Sequence, residues 1–136
     1  MTQQGGDRRF GHGDEITVEN TSGSTIEAGE LVYVTGYNTT DDRPEVQPAD
    51  SGSTTGYNAV AGDAIVDGDY GKAVFSGTPW VRVVDGDDVS AGDEPAASTT
   101  AGVATDSGTG GDGKGDVYLT GETDIGGTTY AVLHLS

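Results

Sequence analysis

The chain has 136 residues, with 23 acidic and only 6 basic side chains, a net charge of −17 and no cysteine. That length supports one domain with a single core. The charge balance argues against binding nucleic acid by phosphate neutralisation, which needs clustered Lys and Arg. Disulfides, thiolate nucleophiles and cysteine zinc sites are absent with the cysteine.

Only 32% of residues are hydrophobic, so the core is expected to be thin, and 24 glycines without a triplet period are expected to punctuate turns. Residues 1–14 are polar and glycine-rich, and are expected to form a flexible arm ahead of a single β-domain at 15–136. No apolar run in the arm suggests a signal peptide or a membrane span. The arm carries Arg8-Arg9-Phe10, a third of the basic residues beside an aromatic, which makes it a candidate docking element for an acidic neighbour.

Residues 15–20 alternate, with Ile16 and Val18 on one face, as a half-buried strand does. A Thr/Ser/Gly turn follows, and Ile26-Glu27-Ala28-Gly29-Glu30 leads into a second strand at Leu31-Val32-Tyr33-Val34. Pro44 and Pro48 are expected to restrict the next segment to an edge strand or loop around Val46. Between residues 60 and 93, short apolar runs (Ala64-Ile65-Val66, Ala73-Val74-Phe75, Trp80-Val81-Arg82-Val83-Val84) each stop at Gly-containing turns. Trp80 is expected to face the 73–75 segment from within the core, together with Phe75, Val83 and Leu133. Val89-Ser90-Ala91-Gly92-Asp93 repeats the pattern of residues 26–30, but Pro95 is expected to cut short the strand after it. Residues 98–115 look least structured, and Val117-Tyr118-Leu119 and residues 129–135 close the chain as strands. No helix is expected. About 8–10 short strands with regular turn signals predict an all-β fold, a small β-barrel or β-sandwich.

Chemistry is hard to find in this pattern. There is no Gly-x-Ser-x-Gly elbow, and the two histidines, His12 and His134, lie in the arm and the terminal strand. Paired carboxylates occur by chance among 23 acids and specify no general acid or base. The Asp67-Gly68-Asp69 and Asp85-Gly86-Asp87-Asp88 clusters lack the glycine and glutamate that complete a calcium-binding helix–loop–helix loop. Residues 110–116 hold one imperfect copy of a β-roll repeat. Asn20-Thr21-Ser22 and Asn38-Thr39-Thr40 match the glycosylation acceptor pattern, which is frequent in Thr-rich chains. No enzyme activity, cofactor or metal site is expected.

The order of features resembles the small capsid decoration (cement) proteins of tailed phages and haloarchaeal tailed viruses. The resemblance rests on the early strand Ile16-Thr17-Val18, the Ser/Thr turn at 21–25 and the entry at 26–34. It continues through 56–66, Gly71-Lys72-Ala73-Val74-Phe75-Ser76-Gly77, the strand at 79–84, Ala91-Gly92-Asp93 and the closing strand at 130–135. The chain departs from that pattern at Pro95 and in the Gly-rich segment 105–115. The resemblance implies a β-domain without catalytic residues that forms a homotrimer and binds the major capsid protein. It would stabilise the shell from the capsid exterior, after assembly in the host cytoplasm, with no nucleic-acid or membrane partner. Arg8, Arg9 and Phe10 are the candidate capsid-binding arm. The alternative is a virion fibre or cell-surface β-domain that binds glycan or another surface ligand. Such a module should carry an aromatic platform, whereas the six tyrosines are scattered along the chain.

An Asp-rich, Lys-poor composition also resembles that of proteins from extreme halophiles. Self-repulsion destabilises so acidic a compact state at low salt, and at about 1 M salt the Debye length falls to roughly 3 Å. The melting temperature is therefore expected to climb steeply from about 0.1 M to molar salt. A flat profile in calorimetry across that range would contradict the halophilic reading.

Overall fold

A computed structural model describes residues 10, 12–51, 56–86, 89–106 and 116–136. The chain is all-β, with eleven strands among the described residues. The first five are β1 (Gly13–Asn20), β2 (Leu31–Asn38), β3 (Arg43–Pro48), β4 (Ala59–Ala61) and β5 (Tyr70–Gly77). They close into a barrel in the order β1-β3-β2-β4-β5, with β5 returning to β1. Then come β6 (Trp80–Arg82), β7 (Pro95–Ala97), β8 (Ala104–Asp106), β9 (Val117–Tyr118), β10 (Thr123–Ile125) and β11 (Thr128–His134). β11 organises this second layer: it pairs with β10, β6 and β9, while β7 and β8 pair with each other.

Alternation along the strands builds two cores. Val18, Val32, Val46, Ala59, Ala61 and Ala73 form one cluster, closed by Ile26 and Ile65. Leu31, Val60 and Val74 are register partners on the opposite face of the barrel wall. They meet Val81, Val83, Tyr118, Leu133 and Leu135 in the larger core between barrel and second layer. The wall at β4 and β5 is thus apolar on both faces, which explains the unbroken Ala59-Val60-Ala61 and Ala73-Val74 runs.

Four turns among the described residues share one device. In one, Thr100–Val103, Val103 donates its N–H to the Thr100 carbonyl at 3.1 Å with Gly102 at φ +82°. The other three also follow a buried apolar residue. In Glu27–Glu30, Val66–Asp69 and Ser90–Asp93 the fourth residue donates its N–H to the first carbonyl, at 3.2, 2.9 and 3.0 Å. Gly29, Gly68 and Gly92 take φ of +92°, +83° and +93° at the third position, as a type II turn requires. The apolar residues just before these turns, Ile26, Ile65 and Val89, are buried anchors. The first and third copies are the repeat visible in the sequence. The middle one has Asp67 in place of alanine and escaped the pattern.

Several expectations are corrected. Trp80 is half-buried and outside both cores, because Val81 and Val83 point inward and strand alternation sends Trp80 and Arg82 to the other face. Nor does Trp80 pack as a strand partner of residues 73–75: β6 leaves the barrel and pairs with β11, Trp80 opposite Val132. Phe75 is half-buried against the barrel core, whereas Val83 and Leu133 are buried in the larger one. β3 is no edge strand, since β1 flanks it at Glu45 and Val46, and Pro44 and Pro48 fall outside that two-residue contact. Pro95 opens β7 rather than ending a strand, at a first position where proline is tolerated. β8 lies within the segment expected to be unstructured, of which residues 107–115 are outside the described residues.

Candidate functional site

The outward face of β6 and β11 carries the strongest candidate contact surface. Inward Ala131 and Leu133 leave Tyr130 and Val132 facing out, opposite Arg82 and Trp80 respectively. Leu119, 45% exposed, borders the face and donates its N–H to the Val132 carbonyl at 2.7 Å. Phe10 meets the Tyr130 ring edge-on, with centroids 5.2 Å apart and planes at 61°. Both rings lie against Gly29, where a Cβ would sit 3.0 Å from Tyr130 Cε1 and 3.1 Å from Phe10 Cε1. The Gly29 carbonyl also accepts the Arg82 N–H at 2.8 Å, which holds the barrel turn to the second layer. On a chain of net charge −17, this face presents Trp, Tyr, Val, Phe and one Arg. Of these, Trp, Tyr and Arg are the residue types that dominate binding energy at protein interfaces.

The same geometry corrects the arm. His12 is hydrogen-bonded to Thr78, its carbonyl accepting the Thr78 N–H at 3.0 Å and its Nδ1 lying 2.8 Å from Thr78 Oγ1. Gly13 pairs with Gly77, so the fold begins earlier than residue 15. Phe10 is placed on its own domain rather than held free. Arg8 and Arg9 lie outside the described residues.

A second surface forms at the β2–β3 tip, where Tyr37 and Tyr70 are 53% and 46% exposed. Their hydroxyls donate to neighbouring carboxylates, Tyr37 to Asp42 and Tyr70 to Asp41. The hydrogen bond to Asp41 pushes the Tyr70 phenol up to about 12, and Asp42 raises that of Tyr37 in the same way. These two tyrosines, 33 residues apart by number, are brought to one tip because β1 pairs with β5 at Tyr70 and with β3 at Glu45, beside the Tyr37–Pro44 pair.

Glu30 is the buried acid of interest, only 8% exposed. It follows the turn at Gly29, backs onto Gly102 and faces Arg82, whose guanidinium stands 3.8 Å away. Burial pushes its carboxyl above the ordinary value of 4.5, and the Glu27 backbone and Arg82 offset this only in part.

The remaining motifs are structural. Asn20 is wholly buried with both amide protons engaged, so it presents no acceptor for glycan. Asn38 Oδ1 accepts the Thr40 and Asp41 N–H groups in a turn. Asp67 accepts the Gly23 N–H, and Asp85 the Thr129 hydroxyl. Asp87 and Asp88 are outside the described residues, as are 110–115 of the β-roll-like stretch. Asp116, at its end, is buried and bonds Tyr57 and Ser136. Among the described residues, no group of three His, Cys, Asp or Glu could hold a metal ion, and no helix is long and apolar enough to cross a membrane.

Fold and surfaces together define an all-β barrel protein with an aromatic outer sheet face. No protein-family model matches the chain, and neither a curated protein nor a solved structure matches it.

Glu30 makes a pH signature. With its folded pKa raised, the folded state holds the proton more tightly than the unfolded state does. Its contribution is therefore most favourable below 4.5 and declines as pH rises through the folded value. Glu30→Gln removes that decline. Denaturant unfolding in molar salt should show the variant gaining on the parent between about pH 4 and about pH 7. Parallel stability profiles for the two proteins would contradict a desolvated Glu30.

Proposed function

We propose that this protein is a non-enzymatic structural component of a virion, a capsid decoration protein that stabilises a tailed-virus shell in high salt. The observation that carries the proposal is the aromatic, charge-poor face of β6 and β11 on an otherwise strongly acidic chain. A shell that is itself acidic cannot be gripped by charge complementarity. Apolar contact through Trp80, Tyr130 and Val132, with repulsion screened by salt, answers that constraint. The order of sequence features adds the resemblance to decoration proteins, and the closed barrel accords with the β-domain it implies.

The arm is assigned a part in the same contact because Phe10 rests on Tyr130 beside the aromatic face. Arg8 and Arg9 suit carboxylates on a capsid subunit. In a homotrimer three arms would act at high effective concentration, which offsets the entropy lost when each is ordered.

A fibre or cell-surface domain that binds glycan is the second reading, and the exposed Tyr37 and Tyr70 rings at one tip favour it. The two readings part on where binding resides. Co-sedimentation with undecorated capsids in molar salt should recover the parent protein but not Val132→Glu, while deletion of residues 1–9 should weaken occupancy. The deletion must stop there, because His12 and Gly13 pair with Thr78 and Gly77. Equal occupancy of parent and Val132→Glu, or no binding by a folded parent, would overturn the proposal.

A further inference from the structure

Apolar contact grips a partner but does not fix the register, because one apolar pairing is nearly as good as the next. A charged, directional contact is what selects a single alignment. The face of β6 and β11 holds such a group. In β6, β10 and β11 the only acid is Asp124, which pairs with Thr129 on the inward register. The outward positions of these strands therefore carry no carboxylate, and Arg82, opposite Tyr130, is the guanidinium among them. That is a local reversal of sign on a chain of net charge −17.

Resting on the capsid reading above, we propose that Arg82 sets the register of attachment by taking an Asp or Glu side chain that the partner presents between apolar residues. The occupant follows from charge complementarity with this one guanidinium on an apolar face. The Arg82 backbone is held from both sides, by its register with Tyr130 and by donation of its N–H to the Gly29 carbonyl at 2.8 Å. Glu30 stands 3.8 Å from the guanidinium and orients it. At that separation the two form an ion pair beyond hydrogen-bond length, and the Arg82 side chain remains 41% exposed. A guanidinium carries five N–H donors in a planar fork, so a second carboxylate binds side-on while Glu30 stays in place. Trp80 and Tyr130 share the face and exclude water once a partner covers it, which strengthens the contact. Glu30 is thus the positioning residue and Arg82 the contact.

Amide NMR of the whole chain in molar chloride reads the site without capsids. The capped peptides acetyl-Leu-Glu-Leu-amide and acetyl-Leu-Gln-Leu-amide differ by one charge. The first should give saturable shifts at Trp80, Arg82, Tyr130 and Val132. It should bind the parent about tenfold more tightly than the second, as a charge-assisted hydrogen bond implies. Arg82→Gln should bind both alike, and Arg82→Lys, which keeps the charge but loses the fork, should fall between. Should Arg82→Gln not fold, the parent's own preference between the peptides decides. In co-sedimentation, Arg82→Gln should occupy fewer capsid sites than the parent. No preference in the parent, or Arg82→Gln occupancy equal to that of a parent that decorates capsids, would overturn the proposal while the capsid reading stands. A peptide preference in a protein that ignores capsids would support Arg82 as the contact and remove the capsid reading instead. An oligomer of the parent alone that Arg82→Gln dissociates would give the carboxylate to a second copy, and would overturn the assignment to a partner.

Discussion

Asn20, wholly buried at the end of β1, donates its two amide protons to the carbonyls of Ser24 and Ile65, each at 2.7 Å, and accepts the Ser22 N–H at 2.9 Å. Its own backbone is bonded to the turn before β5, through Asp69 O at 3.0 Å and Gly68 N at 2.8 Å. β1 and β3 meet over only two residue pairs, so the barrel seam there is short. The side chain of Asn20 ties that seam to the Ile26–Ile65 bridge, whose reciprocal bonds are 2.9 and 2.7 Å. Once Ile26 and Ile65 are in place, the barrel core has its end plug and the next turn delivers Gly29 and Glu30. Gly29 then binds Arg82 of β6 and accommodates Phe10 and Tyr130. Glu30 packs on Gly102 and faces Arg82. The aromatic contact face therefore depends on the closure that Asn20 helps to make.

The distribution of charge follows the same logic. Acids are most frequent in turns and loops such as Asp67 to Asp69 and Asp41 to Asp42, where water screens them, and those within strands, Asp14, Glu15, Glu19, Glu45, Asp106 and Asp124, all keep some exposure. A thin core is made sufficient by using the barrel wall twice, Ala and Val on one face and Leu and Val on the other. Alanines at 59, 61 and 73 suit a five-stranded barrel, whose narrow interior leaves little volume for large side chains.

Much of this was legible in residue order. Period-two runs marked the strands, and Asp/Gly pairs marked the turns. What the runs could not carry was partnership: closure depends on β1 meeting β3 in parallel and β5 in antiparallel, contacts far apart in sequence. The expectation for Trp80 had a contrary signal in the sequence: Arg82 shares its face, and a charged neighbour two residues on points that face outward. Asn20 continues the inward register of Val18, which marks its amide as buried. The aromatic face needed the pairing of Trp80 with Val132 to come into view.

The stability of Asn20→Ala, measured by denaturant unfolding in molar salt, tests the closure most directly. Water can replace the bonds to Ser22 and Ser24, which are only part-buried, but the Ile65 carbonyl is buried and would lose its side-chain partner. We expect a loss of about 1–3 kcal/mol from the side-chain bonds removed, while the Ile65 carbonyl keeps the Ile26 N–H. A variant within about 0.5 kcal/mol of the parent, the range of an ordinary surface change, would contradict the dependence of the fold on this amide.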